Sequence, residues 1–76
     1  MPFVNMRTLK GLLTEEQKRT LQHRLTDAVV EVAGKGDPAY RDHVWVLIEE
    51  DEPLSWCVGG VNGADIIAAR ARAKQA

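Results

Sequence analysis

One amphipathic helix pattern lies between two strand-forming segments, and this order restricts the fold more than any other feature of the sequence. The first segment, PFVNMRTL at residues 2–9, is rich in apolar and β-compatible residues and predicts a strand. The second, HVWVLIEE at residues 43–50, predicts a strand whose unbroken apolar middle indicates burial on both faces. Together they predict one βαβ unit with parallel strands and a right-handed crossover.

The helix between the strands has a defined beginning and end. The motif TEEQ is a capping-box pattern, in which Thr14 and Gln17 exchange side-chain and backbone hydrogen bonds. Apolar residues then recur at helical spacing from about Glu15 to Ala33, so one face should be buried. Two glycines and Pro38 follow, and they predict that the helix ends there and does not resume. The apolar stripe consists of Leu21, Leu25, Ala28, Val29 and Val32.

The carboxy-terminal third predicts smaller elements. The segment DEPLSWCVGGVNG, residues 51–63, predicts a loop or short hairpin, because its glycines and asparagine favour turns. The segment ADIIAARARAKQ, residues 64–75, predicts a short terminal helix. Residues 1–76 are therefore expected to form a single α/β domain, a βαβ unit with a short C-terminal hairpin and helix.

A chain of 76 residues buries a modest core and usually needs further support. The single cysteine, Cys57, allows no disulfide within the chain, and His23 and His43 stand in no Cys/His cluster. Two strands are also too few to be stable alone, and both edges are open to pairing with another chain. We therefore expect a homo-oligomer, a dimer at least, without a metal; a hetero-oligomer is the alternative.

The charge pattern argues against several classes of partner. The net charge is −1, with basic and acidic residues interspersed, so neither nucleic acid nor an anionic membrane is expected as a partner. No apolar run approaches the length of a membrane span, and the first residues lack a signal-segment pattern. Together with the free cysteine, these features predict a cytoplasmic protein.

Pro2 directly follows the initiator methionine and has two interpretations. It is either an ordinary residue at the entry to a strand or, once Met1 is removed, a basic secondary amine in a rigid ring. A small residue next to Met1 is the usual condition for that removal. If Met1 stays, the Pro2 nitrogen is an amide without a basic lone pair.

Four segments, MPF, LKGLLTEEQK, VWVLIEE and WCVGG, occur in this order over most of the chain up to Gly60. Their order and spacing resemble small subunits of the 4-oxalocrotonate tautomerase family, the amino-terminal-proline tautomerases. The resemblance implies a βαβ subunit, dimers assembled into a trimer of dimers, and Pro2 as catalytic base after loss of Met1. It implies no cofactor.

A proline amine has chemistry suited to that role. A general base works best when its pKa lies near ambient pH, and an α-amino group has a pKa of only about 7.7–8.0. Apolar surroundings disfavour the charged form and lower the pKa further. A neutral amine can then take a proton from an enol or an activated carbon and return it elsewhere.

The resemblance assigns further positions one by one. Trp56 stands where the family has an aromatic that lines the pocket, although burial at an oligomer interface explains it equally well. Leu12 or Leu13, and Trp45, stand where the family has arginines that bind substrate carboxylates. An apolar side chain does not replace a guanidinium there. Arg41 could supply the missing charge, although a solvated surface position is the simpler interpretation.

Three functional classes follow. The first is a tautomerase acting on a small unsaturated 2-hydroxy or 2-keto acid, with an apolar, aromatic pocket. The second is a Pro-dependent hydratase or dehalogenase, in which the amine is charged and acts as an acid. For that class the acidic run at residues 49–52 could activate water, although a solvated turn is the simpler interpretation. The third is a non-catalytic subunit whose partner chain supplies the arginines.

Overall fold

The computed structural model of the protein describes residues 2–75, and its elements follow the predicted order of strand, helix, strand, hairpin and helix. This confirms the predicted α/β fold. The elements are β1 (Phe3–Leu9), α1 (Glu15–Val32), a 3₁₀ helix (Pro38–His43), β2 (Trp45–Asp51), a 3₁₀ turn (Pro53–Ser55), β3 (Cys57–Val58), β4 (Val61–Asn62) and α2 (Gly63–Gln75).

Strands β1 and β2 form a two-stranded sheet, and its end bonds show that the strands are parallel. At the start of β2, the N–H of Trp45 donates to the carbonyl of Pro2 at 3.0 Å. After the end of β1, the N–H of Lys10 donates to the carbonyl of Asp51 at 2.9 Å. Because start is bonded to start and end to end, the strands run in the same direction, as predicted.

The chain divides into two units, which are described separately. The first contains residues 2–6 and 13–49, and the second contains residues 7–12 and 50–75. The first unit therefore includes α1 and the long 3₁₀ helix. The second includes the hairpin β3–β4 and helix α2.

Helix α1 of the first unit begins with the predicted capping box. The N–H of Gln17 donates to Oγ1 of Thr14 at 3.1 Å, and the N–H of Thr14 donates to Oε1 of Gln17 at 2.9 Å. Its buried face differs from the predicted stripe, because Val30 is buried while Val32 is 80% exposed. The buried face is rotated toward Val29 and Val30, and the last turn of the helix leaves Val32 uncovered.

The predicted burial of β2 on both faces holds on one face only within the single chain. Val46 and Ile48 are partly buried, whereas Trp45 is 57% and Leu47 44% exposed. Phe3, in the first unit's part of β1, is also 57% exposed. The chain thus has large apolar side chains on its strands that its own residues leave uncovered.

The segment after α1 forms a 3₁₀ helix that the sequence pattern did not predict. Asp37 caps it, since its Oδ1 accepts from the N–H of Ala39 at 3.0 Å. Pro38 is the first residue, a position where its missing N–H costs nothing and its fixed φ suits a helix. Pro38 thus prevents continuation of α1 but begins a new turn.

In the second unit, β3 and β4 form the predicted hairpin, with Cys57 opposite Asn62. Gly59 and Gly60 connect them with φ of +58° and +85°, the left-handed values that a two-residue hairpin turn requires. Oδ1 of Asn62 accepts from the N–H of Ala64 at 2.8 Å, and helix α2 begins there. Leu9 is the buried apolar residue of this unit.

Candidate active site

Pro2 is bonded to two residues that line an apolar groove of the first unit. Its peptide bond leads into Phe3, and its carbonyl accepts from the N–H of Trp45. Both neighbours form the wall of an open groove of about 600 Å³. The structure therefore brings the main chains of Pro2 and Trp45 together. The groove is lined by Phe3, Asp42, Val44, Trp45, Val46 and Leu47.

Asp42 is a groove residue that the sequence reasoning missed. It lies in the 3₁₀ helix directly before β2, and five of the six lining residues are apolar or aromatic. A carboxylate in such a groove repels a substrate carboxylate and can accept a hydrogen bond from a hydroxyl or a water. The only sequence signal for Asp42 was its own position, three residues before Trp45.

Leu13 lies in a different groove. This second groove, of about 520 Å³, is at the amino-terminal end of α1 and includes the capping residues Thr14 and Gln17. Within one chain, the structure thus does not bring Leu13 into the groove that contains Trp45.

Arg41 contacts helix α1. Its Nη2 lies 2.7 Å from Oδ1 of Asp27 and 3.4 Å from Nδ1 of His23. The Arg41 side chain is 39% exposed, so this ion pair lies near the surface. The guanidinium is thus already paired with a carboxylate, and binding a substrate carboxylate would require it to leave Asp27.

Trp56 belongs to the second unit and is partly buried. Its indole Nε1 donates to Oδ2 of Asp51 at 3.2 Å, and Nε of Arg7 donates to the same oxygen at 2.7 Å. The Arg7 guanidinium, which hydrogen-bonds to Asp51, holds the pKa of this carboxyl below its ordinary value of 3.8. The Trp56 N–H acts in the same direction, and Asp51, like an ordinary carboxyl, is ionised at neutral pH.

Neither a metal centre nor a membrane helix is found in the part of the chain that the structure describes. No three His, Cys, Asp or Glu side chains of residues 2–75 are grouped so that they could hold a metal ion. Over the same residues, neither helix has the length and apolar character that crossing a bilayer requires.

Comparisons with known proteins agree on one family. Residues 2–65 match the family model described as tautomerase enzyme. Probable tautomerase K2 of Dickeya dadantii is 42% identical over 60 residues, which are 79% of this chain and 84% of that protein.

Solved structures give the same result. TomN, a 4-oxalocrotonate tautomerase homologue in the tomaymycin biosynthetic pathway, has a TM-score of 0.71 and 31% identity, covering 88% of this chain and 95% of TomN. A structure solved for the analysis of trans-3-chloroacrylic acid dehalogenase activity has a TM-score of 0.62 and 26% identity. That match covers 80% of this chain and 97% of the other.

Proposed function

This chain belongs to the tautomerase family, and from that membership we propose that it is a cofactor-independent isomerase of tautomerase type. Its substrate is a small unsaturated 2-hydroxy or 2-keto acid, and its general base is the amino nitrogen of Pro2 after removal of Met1. The observation that carries this proposal is that Pro2 is bonded to two residues lining an apolar groove. It precedes Phe3 in the chain, and its carbonyl accepts from the N–H of Trp45.

The proposed reaction moves one proton. The neutral amine of Pro2 takes the proton from the enol hydroxyl, and the oxygen's electron pair forms the carbonyl. The electron pair of the carbon–carbon double bond moves to the distal carbon, which then takes the proton from the ammonium nitrogen. The free amine is regenerated, and apolar surroundings favour its neutral form between cycles.

The remaining positions have supporting roles in this proposal. Trp45, and Trp56 in the assembled oligomer, supply aromatic surface that excludes water and stacks on a planar substrate. Leu13 lines a separate groove of the single chain, so it would reach the site from a neighbouring copy. Arg41 would bind the substrate carboxylate only after exchanging its contact with Asp27. The proposed assembly is a homo-oligomer, from dimer to hexamer, in the cytoplasm.

A second candidate is a Pro-dependent hydratase or dehalogenase. The carboxylate of Asp42 in the groove favours it, because such a group can activate water for attack on an unsaturated acid. The similarity to the structure solved for dehalogenase activity supports it as well. In this reaction the Pro2 amine is charged and donates a proton to carbon.

The test is a proton-transfer assay with phenylenolpyruvate. We expect turnover by the protein that lacks Met1 and a loss of about 100-fold or more in Pro2→Ala, since a positioned base contributes 10²–10⁴-fold. Pro38→Ala, a proline substitution away from the amine, is the matched control. Intact mass measurement shows whether Met1 has been removed.

The pH profile separates the two reactions. Activity that appears as the amine deprotonates indicates a base and therefore a tautomerase. Activity that disappears over the same range indicates an acid and therefore a hydratase or dehalogenase. If neither the unmodified protein nor Pro2→Ala exceeds the uncatalysed rate, the protein is a non-catalytic subunit; equal activity above that rate would exclude Pro2 as the base.

A further inference from the structure

Three side chains of the second unit form a continuous hydrogen-bonded chain that ends on an indole ring. Arg7 donates through Nε to Oδ2 of Asp51 at 2.7 Å, and Trp56 donates through Nε1 to the same oxygen at 3.2 Å. The Asp51 side chain is 26% exposed, against 63% for Arg7, so the shared carboxylate is the more enclosed partner. A tryptophan side chain has one hydrogen-bond donor and no acceptor. The carboxylate of Asp51 therefore accepts the single hydrogen bond that this indole can donate.

The backbone around Trp56 is fixed independently of this chain. Its N–H donates to the carbonyl of Pro53 at 3.1 Å, and its own carbonyl accepts from the N–H of Gly63 at 2.8 Å. A Cβ on Gly63 would lie 2.3 Å from the carbonyl oxygen of Pro53 and 3.1 Å from Cβ of Trp56, so only glycine fits. These contacts fix where the side chain begins but leave its two torsions free. The bond from Nε1 to Asp51 is what restricts the plane of the ring.

We propose that Asp51, itself held by Arg7, is a positioning residue that fixes the indole plane of Trp56 for stacking on the substrate. The proposal rests on the proposed function, in which Trp56 lines the site. A ring already held in its binding orientation loses less side-chain entropy when substrate binds. Asp51 then affects substrate binding through Trp56 and touches neither substrate nor reacting atoms. Asp51 is ionised at neutral pH, as an ordinary carboxyl is, and the bonds from Arg7 and Trp56 lower its pKa further.

The first test needs no enzyme activity. In ¹⁵N-labelled protein, Trp45→Phe identifies the indole N–H resonance of Trp56. Asp51→Ala should shift this resonance upfield and raise its hydrogen-exchange rate by about tenfold, as expected for a lost hydrogen bond to a charged group. Asp51→Asn keeps an acceptor oxygen and should give an intermediate shift.

The matched control is Glu52→Ala. It removes the adjacent carboxylate and its exposed contact with Lys10 at 3.6 Å, but leaves Asp51 and Trp56 in place. The indole resonance should then stay within the range of the unmodified protein. The proposal is overturned if Asp51→Ala leaves the indole shift and exchange rate unchanged, or if Glu52→Ala alters them equally.

The second test is a double-mutant cycle on steady-state kinetics with phenylenolpyruvate. Asp51→Ala should raise KM by about three- to tenfold with little change in kcat, because the lost interaction serves binding. Trp56→Phe keeps an aromatic ring but removes the N–H, so in that background Asp51→Ala should change KM by less than about twofold. Equal increases of KM in both backgrounds would overturn the positioning role. If the unmodified protein has no Pro2-dependent activity, the proposed function fails. The indole resonance alone then decides whether Asp51 fixes the orientation of the Trp56 ring.

Discussion

At the scale of single residues, the groove beside Pro2 is mostly apolar and aromatic and contains one carboxylate. Trp45, which by the resemblance stands where the family places an arginine, and the carboxylate of Asp42 line the same groove. A hydrogen bond between a guanidinium and a carboxylate contributes roughly 1.5–3 kcal/mol, which is about one to two orders of magnitude in affinity. A second substrate carboxylate would find no such partner here and would be repelled by Asp42.

Substrate preference should follow from this groove. The unmodified protein should have a higher kcat/KM for the aromatic monoacid phenylenolpyruvate than for the dicarboxylate 2-hydroxymuconate. Trp45→Arg should raise kcat/KM for the dicarboxylate by about tenfold or more. Trp45→Phe keeps the site apolar and should leave the order of preference as it is. A preference of the unmodified protein for the dicarboxylate would mean that another chain or Arg41 supplies the positive charge.

The lowered pKa of Asp51 predicts how stability depends on pH. A carboxyl whose pKa is lower in the folded protein stabilises it above the unfolded pKa, here near 3.8, and loses that contribution as pH falls through the folded pKa. The difference in unfolding free energy between the unmodified protein and Asp51→Asn should therefore be constant from about pH 5 to pH 8 and shrink below pH 3.8. Urea titrations at each pH measure it. In an Arg7→Gln background, this decrease of the free-energy difference below pH 3.8 should be smaller. Arg7 is the largest cause of the lowered Asp51 pKa, and the substitution removes it.

At the scale of elements, helix α1 depends on its first turn. Thr14→Ala removes the acceptor for the N–H of Gln17 and should lower the free energy of unfolding by about 1 kcal/mol. Thr20→Ala is the matched control, because the same change at an exposed helical position should cost nothing or add a few tenths of a kcal/mol. Urea unfolding of both variants at one fixed protein concentration checks the prediction. Equal losses in the two variants would mean that the cap contributes no more than an ordinary exposed threonine.

The elements also show which features of the fold could be predicted from the sequence and which could not. The capping box, the parallel strand order and the Gly59–Gly60 turn were all predictable, because each depends on residues that are neighbours or on a crossover rule. The rotation of the buried face of α1 toward Val30 was not, since it depends on which surface the helix packs against. The hydrogen bond from Trp56 to Asp51 could not be predicted either, because it depends on the 3₁₀ turn between them, which brings the two side chains together.

At the scale of the whole molecule, the single chain leaves too much apolar surface exposed. Leu9 and Val30 are the buried apolar residues among those that the structure describes. Large apolar side chains on both units are exposed by 44% or more. A chain of this size with so few buried side chains is marginal alone. The exposed residues on the first unit's strands, Phe3, Trp45 and Leu47, would be stabilised most by burial against another apolar surface, and a second copy of the chain would provide one.

Light scattering should therefore give a mass of at least two chains at micromolar concentration, and the resemblance to the family implies six. Leu47→Lys introduces a charge on β2 among the exposed strand residues and should shift the population toward smaller species. Val32→Lys makes the same change at a residue that is 80% exposed at the end of α1, and it should leave the mass unchanged. A folded monomer of the unmodified protein would contradict the prediction, because burial of the strand residues by another copy is what it requires. If oligomers form only with a different chain, that chain buries the exposed strand residues and the assembly is a hetero-oligomer. Since Trp45 and Leu47 also line the groove beside Pro2, the Leu47→Lys variant should lose proton-transfer activity together with its assembly.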